Sequence, residues 1–158
     1  KKIEGLGGTM RLGAQDVKIT PGSLAHFLTG GRTSIRERFR HRYEVDPTFI
    51  ERLESRGMVF SGRHPEQPIM QILELRSSAP AQDEGEPVSI THPYFIGAQF
   101  HPELTGRPLK PQPLFMGLVA AAIRARYETQ DPDRWAQMRR DPDLSRWLNS
   151  PSSTQQRV

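Results

Sequence analysis

An alternating segment, residues 35–45, is the sequence feature that most restricts how this 158-residue chain can fold. Charged side chains hold its even positions, which are Arg36, Arg38, Arg40, Arg42 and Glu44. Mostly aromatic or apolar side chains hold the odd positions, which include Phe39, His41, Tyr43 and Val45. Because successive side chains of a strand point to opposite faces, the pattern predicts one long strand. One face of this strand should pack, and the other should meet water or charge.

Short apolar runs bounded by turn residues predict further strands in the chain. Residues 9–13 and 17–19 indicate two short strands punctuated by glycines, and therefore a β-hairpin near the start. Residues 58–61 and 69–75 predict a second strand pair joined by a polar loop. The apolar run 94–100 is short enough for a buried strand.

Helix signals fill the segments between these strands. Residues 24–28 predict a brief helix that ends at Gly30-Gly31. Asp46-Pro47 supplies an N-cap and a first-turn proline for a helix that ends near Gly57. A longer helix is predicted to follow Pro111 and Pro113 and to continue through Tyr127. The packing face predicted for this longer helix consists of Phe115, Leu118, Val119, Ala122 and Ile123.

The chain is predicted to form one compact domain with a tail. Residues 1–128 are assigned to the domain, and 129–158 to a tail in which Asp131-Pro132 and Asp141-Pro142 indicate two short helices. Residues 77–89 lack periodicity and are rich in small and acidic residues, which predicts a mobile surface insertion. Because the first residue is Lys1 rather than Met, the sequence is expected to be a fragment.

Composition excludes several kinds of chemistry. The chain has no cysteine, so disulfides, thiolate metal sites and a cysteine nucleophile cannot come from it. Its longest apolar run, residues 114–123, is far shorter than the ~20 residues needed to cross a bilayer. The net charge of +4 is compatible with attraction to phosphates, but it is equally compatible with simple solubility.

The segment Gln99-Phe100-His101-Pro102-Glu103 is the first candidate for a catalytic site. Pro102 disfavours helical geometry at His101, so an extended segment should place His101 and Glu103 on one face. A carboxylate that accepts from one ring nitrogen selects the tautomer and frees the other nitrogen to take a proton. The pair therefore predicts general acid–base chemistry on a nucleophile that this chain does not supply.

The same five residues are similar to the histidine–glutamate motif of class I glutamine amidotransferases. Three further segments resemble the CTP synthase family: Gly7 to Gly13 (GGTMRLG), Arg40 to Val45 (RHRYEV), and Arg107 to Pro111 (RPLKP) followed by Pro113-Leu114-Phe115. Their order and spacing also match, and the resemblance extends from about residue 6 to about residue 125. It implies an α/β fold, a partial flavodoxin-like amidotransferase domain that contains only the later strands and helices.

The resemblance implies roles for particular residues. In a Cys-His-Glu triad, His101 would be the general base and acid and Glu103 would orient it, with the cysteine upstream of the matched segment. Arg42 would hold the α-carboxylate of glutamine, and Tyr43 would contribute to the same pocket mainly through its backbone. Thr9 and Arg11 would belong to a segment linked to activation by GTP. No residue is assigned to a metal.

For the whole enzyme, the resemblance implies hydrolysis of glutamine and transfer of ammonia to a synthase domain, which aminates UTP to CTP. ATP with Mg²⁺ and the activator GTP would be cofactors of that enzyme, and none is expected in this chain. Its partners would be the upstream half of the amidotransferase domain and the synthase domain, within a cytoplasmic homotetramer. This chain alone is expected to be inactive and only marginally stable.

Three alternatives remain at this point. The chain could be a degenerate paralogue that never carried the cysteine. It could also be part of another class I amidotransferase, such as one that serves GMP or carbamoyl phosphate synthesis. A small nucleic-acid-binding module would use the arginine row 36–42 and the basic tail 134–146. That module is disfavoured, because no aromatic residues are interleaved on the arginine face and acidic residues interrupt the tail.

Overall fold

The computed structural model describes residues 10–75, 78–80, 89–91 and 93–149. Its strands are β1 (Arg11–Ile19), β2 (Ser34–His41), β3 (Met58–Arg63), β4 (Met70–Leu75), β5 (Ser78–Pro80), β6 (Ser89–Thr91) and β7 (Ile96–Ala98). Its α-helices are α1 (Leu24–Leu28), α2 (Ile50–Glu54), α3 (Pro113–Tyr127), α4 (Pro132–Met138) and α5 (Ser145–Leu148). Short 3₁₀ helices cover Pro47–Phe49 and Pro102–Leu104. The α/β class expected from the sequence is therefore confirmed.

The main sheet has five strands in the order β2-β1-β3-β4-β7, and each neighbouring pair is antiparallel. The sheet is curled, because an antiparallel bridge joins Phe39 of β2 to Phe100, just after β7. The backbone N–H of His101 also donates to the carbonyl oxygen of Arg38 at 2.9 Å. The segment that carries His101 is thereby attached to the far edge of the sheet.

Apolar side chains of this sheet, with Ala25 of α1 and Leu114 of α3, form the first core. Its buried members include Val17, Ile19, Phe39, Ile72 and Phe100. Phe39 and Phe100 meet edge to face, with 5.9 Å between ring centroids. Burial of side chains of this size is the main favourable term in folding, at about 1.5–3 kcal/mol for each. Phe100 thus fixes the end of the strand from which the candidate catalytic segment continues.

A buried carboxylate joins α1 to the sheet. Glu74 of β4 accepts from the backbone N–H groups of Leu24 and Ala25 at 2.9 and 2.8 Å. These are donors that the first turn of a helix leaves without intrahelical partners, and the helix dipole favours an anion there. Ser23 caps the same turn by accepting from the N–H of His26 at 3.1 Å.

The second core lies among α1, α3, α4 and α5, and both tryptophans, Trp135 and Trp147, are buried in it. Asp131 is the N-cap of α4, as its Asp-Pro sequence predicts. Asp141 accepts from the backbone N–H groups of Asp143 and Leu144 just before α5. The longest described helix, α3, has 15 residues, and no helix in the described ranges is long and apolar enough to cross a membrane.

The β-hairpin predicted near the start of the chain is wrong. Residues 11–19 form one continuous strand, and every residue from Arg11 to Lys18 pairs with β2. Gly13 adopts a φ of +86° but keeps its pairing with Phe39, so it does not break the strand. The long partner strand β2 overrides the local break signal, and Arg36 of β2 forms an ion pair with Asp16 at 2.9 Å.

The long strand predicted over residues 35–45 ends at His41. Within β2 the alternation holds, because Ile35 and Phe39 are buried while Arg36, Arg38 and Arg40 are exposed. Tyr43 was expected in the packed row, but its side chain is 74% exposed, because the chain has already left the sheet.

The packing face predicted for α3 is wrong at four of its five residues. Leu114, Gly117 and Ala120 are the buried residues of this helix, whereas Phe115, Leu118 and Val119 are about half exposed. Gly117 permits close packing, because a Cβ there would lie only 2.7 Å from Leu28 Cδ2 and 2.8 Å from the Tyr94 ring. Two small residues, together with Leu114, therefore form the contact face. Ile123 is partly buried in the second core, whereas Ala122 is exposed.

The segment predicted as a mobile insertion has paired ends. β5 and β6 form a two-stranded antiparallel sheet in which Ser78 pairs with Thr91 and Pro80 with Ser89. The sequence did not predict this pair. Most of the remaining insertion, residues 81–88, lies outside the described residues, as do residues 150–158 of the tail.

Candidate active site

His101 is held at the point where the chain leaves the sheet. Its backbone is extended, with φ −103° and ψ 93°, and it forms the N-cap of the 3₁₀ helix Pro102–Leu104. Pro102 favours this extended geometry, as the sequence predicts. Because Phe100 on one side is buried and the His101 N–H is bonded to Arg38, the position of the ring is restricted by the sheet.

The side chains of His101 and Glu103 are in direct contact, with 2.7 Å between Nδ1 and Oε1. This hydrogen bond lowers the pKa of Glu103 below its ordinary range, and a backbone hydrogen bond and the charge of Arg40 add to the effect. An ionised carboxylate can only accept, so the proton of a neutral ring is assigned to Nδ1. Nε2 then carries a lone pair, and it has no hydrogen-bond partner among the described residues.

The loop after this pair is anchored to β2 by Glu37. Thr105 Oγ1 donates to Glu37 Oε2 at 2.8 Å, and Gln112 Nε2 donates to Glu37 Oε1 at 3.5 Å. Gln112 also caps α3 by accepting from the N–H of Leu114 at 2.7 Å. Glu37 thus connects β2, the loop that follows His101 and Glu103, and the start of α3. Sequence reasoning missed it, since its partners lie about 70 residues away along the chain.

Arg42 and Tyr43 directly follow β2, and both are exposed. The structure gives no contact between either side chain and the pair His101–Glu103 within the described part of the chain. Two interactions hold the backbone of this segment. His41 Nδ1 lies 2.9 Å from the carbonyl oxygen of Tyr43, and Glu44 Oε1 lies 2.6 Å from Arg11 Nε.

Of the two residues predicted to couple to GTP, Thr9 lies outside the described residues. Arg11 pairs in register with His41, and its ion pair with Glu44 is mostly buried, with side-chain exposures of 24% and 11%. The structure therefore brings Arg11 together with the segment of Arg42 and Tyr43. The residue types of Arg11 and Glu44 were visible in the sequence. The register in which β1 pairs with β2, which brings them together, was not.

A cavity of about 250 Å³ lies on one side of the sheet, lined by residues 70–73 and 97–99 with Val45 and Phe60. Neither His101 nor Glu103 lines this cavity. Gln71 does line it, and although its side chain is only 1% exposed, neither amide atom has a hydrogen-bond partner in the described ranges.

The described residues contain no cluster of three or more His, Cys, Asp or Glu side chains suited to a metal ion. What the arrangement can do is move a proton, because Nε2 of His101 carries a lone pair that can accept one and Glu103 stabilises the protonated ring. Such a relay needs a nucleophile, and the chain contains no cysteine.

Curated relatives with similar sequences are CTP synthases. That of Hyphomonas neptunium is 48% identical over 119 residues, which are 75% of this chain and 19% of the relative. That of Archaeoglobus fulgidus is 44% identical over 130 residues, which are 82% of this chain and 22% of the relative. The chain therefore spans about a fifth of the length of these relatives. No protein-family model matches it.

A solved structure of a related protein has a fold similar to that of this chain. The glutaminase domain of Trypanosoma brucei CTPS, solved with bound acivicin, superposes with a TM-score of 0.61 and 28% sequence identity. The match covers 77% of this chain and 42% of the solved chain. In both sequence and fold, the chain corresponds to a part of the glutaminase domain of CTP synthases.

Proposed function

We propose that this chain is the C-terminal part of the glutamine-hydrolysing domain of a CTP synthase. The contact of 2.7 Å between His101 and Glu103 is the observation that carries the proposal, because it forms two thirds of a Cys-His-Glu triad. The similarity to CTP synthases over at least three quarters of the chain supports the same conclusion.

In this proposal His101 takes the proton of a cysteine thiol that another part of the protein supplies. The thiolate attacks the side-chain amide of glutamine, and His101 then gives the proton to the leaving ammonia. Glu103 keeps the ring in the tautomer with a free Nε2 and stabilises the imidazolium that forms. The low pKa of Glu103 supports this role, because the carboxylate stays ionised throughout.

Arg42 binds the α-carboxylate of glutamine, and the backbone of Tyr43 lines the same pocket. Arg42 is exposed, so its planar donor fork is available for a carboxylate. The backbone around it is fixed by the contacts of His41 with Tyr43 and of Glu44 with Arg11. A fixed backbone loses less conformational entropy when the substrate binds.

The whole enzyme would pass the ammonia to a cytoplasmic synthase domain that aminates UTP to CTP, within a homotetramer. ATP with Mg²⁺ would bind that synthase domain. GTP would act through the segment of Thr9 and Arg11. This role is supported by the ion pair that links Arg11 to the glutamine-binding segment.

A chimera tests the proposal. This chain would replace the matching segment of the Archaeoglobus fulgidus CTP synthase, and CTP formation would be measured with glutamine and with ammonia. We expect His101→Ala to lower the glutamine-dependent rate about 100-fold or more and to leave the ammonia-dependent rate unchanged. The control His64→Ala, in the loop between β3 and β4, should change neither rate. Equal loss of both activities in His101→Ala would refute the proposed role.

A further inference from the structure

A groove with a volume of about 960 Å³ runs between β2, the loop that follows His101 and Glu103, and α5. This volume is at the upper end of the ~300–1,000 Å³ typical of small-molecule sites. The groove is separate from the cavity beside Gln71, and neither His101 nor Glu103 lines it. The proposed hydrolysis of glutamine therefore leaves it without a role.

Cationic side chains line the groove from several separate segments of the chain. They are Arg32 just before β2, Arg36 within β2 and already paired with Asp16, Arg107 and Lys110 from the loop, and Arg146 from α5. Two acidic residues, Glu37 and Asp143, also line it. Glu37 already accepts from Thr105 and Gln112, so its carboxylate is partly satisfied. The groove thus concentrates positive charge, and such a field attracts anions.

Several of these cations are held in position before any ligand binds. Arg32 Nε donates to the carbonyl oxygen of Thr29 at 2.9 Å, and an NH1 group of Arg107 donates to that of Gly106 at 2.7 Å. Each contact leaves other N–H groups of the same guanidinium for a ligand. The Arg146 guanidinium lies 4.4 Å from the centroid of the Trp147 ring. Such restraint reduces the entropy lost when a multivalent anion binds.

Apolar side chains complete the wall of the groove. Ile35, Met116, Leu144 and Trp147 line it together with three prolines, Pro111, Pro113 and Pro142. Small-molecule sites combine an apolar lining with a few charged groups that fix orientation. The groove has this combination, with its charges arranged to meet an anion from several sides.

We propose that this groove binds a small molecule that carries two or more linked phosphates. Guanidinium forks match phosphate oxygens in pairs, and Lys110 adds a point charge. The ligand is either free polyphosphate or the phosphate chain of a larger molecule whose remaining part packs on the apolar wall. This inference does not depend on hydrolysis of glutamine.

Calorimetry on the full chain at low salt tests the proposal with inorganic tripolyphosphate as the probe. The double variant Arg107→Gln/Lys110→Gln should weaken binding about tenfold or more. The matched control Arg134→Gln/Arg140→Gln removes the same charge from exposed positions outside the groove, and it should bind as the parent chain does. Absence of tripolyphosphate binding, or equal weakening in both double variants, would overturn the proposal.

Lysine labelling locates the site without any substitution. Acetylation measured by mass spectrometry should slow at Lys110 when tripolyphosphate is present, whereas exposed Lys18 on β1 should react at the same rate. Equal rates at Lys110 with and without the probe would contradict the proposal. Tighter binding of nucleoside triphosphates than of tripolyphosphate would identify a phosphorylated organic ligand, and equal binding would identify free polyphosphate.

Discussion

The side chain of Glu103 is about half exposed, so its low pKa arises from hydrogen bonding rather than from burial. His101 is the first cause of that lowering. We therefore expect His101→Ala to raise the pKa of Glu103 toward its ordinary value. Carboxyl carbon NMR titration of the parent chain and the variant measures this shift. An unchanged pKa in the variant would show that the two side chains do not interact in solution.

The hydrogen bond between His101 and Glu103 also determines the direction in which folding stability changes with pH. The folded-state pKa of Glu103 is lower than that of an unfolded glutamate, so its contribution to stability is present at neutral pH. That contribution is lost as pH falls through the folded-state pKa. Because the side chain is exposed, water screens the interaction and the effect on stability is small.

Two buried glutamines make a matched comparison. Gln71 has no hydrogen-bond partner for its amide in the described ranges, whereas Gln112 bonds both Leu114 and Glu37. Burial of an unpaired amide costs about 1–3 kcal/mol, so Gln71→Leu should raise the free energy of unfolding by about 1 kcal/mol. Gln112→Leu should lower it by a similar amount or more. Urea denaturation measures both changes.

Destabilisation by Gln71→Leu equal to that by Gln112→Leu would contradict this account. Such a result would mean that ordered water in the adjacent cavity of about 250 Å³ satisfies the Gln71 amide.

The candidate pair could be predicted from sequence because it is local. His101 and Glu103 are two residues apart, and Pro102 restricts the backbone between them. The ion pair of Arg11 with Glu44 spans 33 residues, and the hydrogen bond of Thr105 with Glu37 spans 68. Neither follows from residue types alone, because each depends on which strands pair and in what register.

At the scale of elements, the helices and strands were predictable where end signals agreed with apolar periodicity. The helix α3 ends at Tyr127 as predicted, and it begins at Pro113, which the prediction placed just before the helix. Its contact face was not predictable from hydrophobicity. A packing face chosen by size overlooks the close approach that Gly117 allows, and that approach depends on Leu28 and Tyr94 from distant segments.

This contact face predicts the effect of adding one methyl group. Gly117→Ala improves helix propensity by about 1 kcal/mol, yet its Cβ would lie 2.7 Å from buried Leu28 and 2.8 Å from Tyr94. Tyr94 cannot move easily, because its hydroxyl donates to the carbonyl oxygen of Leu114 at 2.6 Å. We expect a net loss of about 1–3 kcal/mol in thermal or urea unfolding.

Leu118→Ala is the control at the adjacent, exposed position of the same helix. Leu118 is 55% exposed, so this substitution should change stability by less than about 0.5 kcal/mol. A stabilising Gly117→Ala, together with a strongly destabilising Leu118→Ala, would support the face predicted from hydrophobicity instead.

At the scale of the whole molecule, the sequence predicts the α/β class but not the curvature of the sheet. The two edges of the sheet are joined by one bridge between Phe39 and Phe100, which are 61 positions apart, and by the hydrogen bond from His101 to Arg38. The family resemblance implied the amidotransferase fold, and the superposition on the glutaminase domain agrees with that expectation. Strand periodicity alone specifies neither the curvature nor the order of the strands.

The chain matches 42% of the solved glutaminase chain, and its exposed surface includes a row of large apolar side chains on α3. Phe115, Leu118 and Val119 are 47%, 55% and 49% exposed. Exposed apolar patches of this kind bind hydrophobic dyes. We therefore expect the isolated chain to bind such a dye at neutral pH and to unfold in a broad transition of low enthalpy.

Replacement of Phe115 and Leu118 together by Gln should reduce dye fluorescence and leave Tm unchanged, because neither side chain is buried. Leu114→Gln, which places an amide in the first core, should instead lower Tm and increase dye fluorescence. A sharp, cooperative melt of the parent chain without dye binding would show that this part of the domain is complete enough to fold stably by itself.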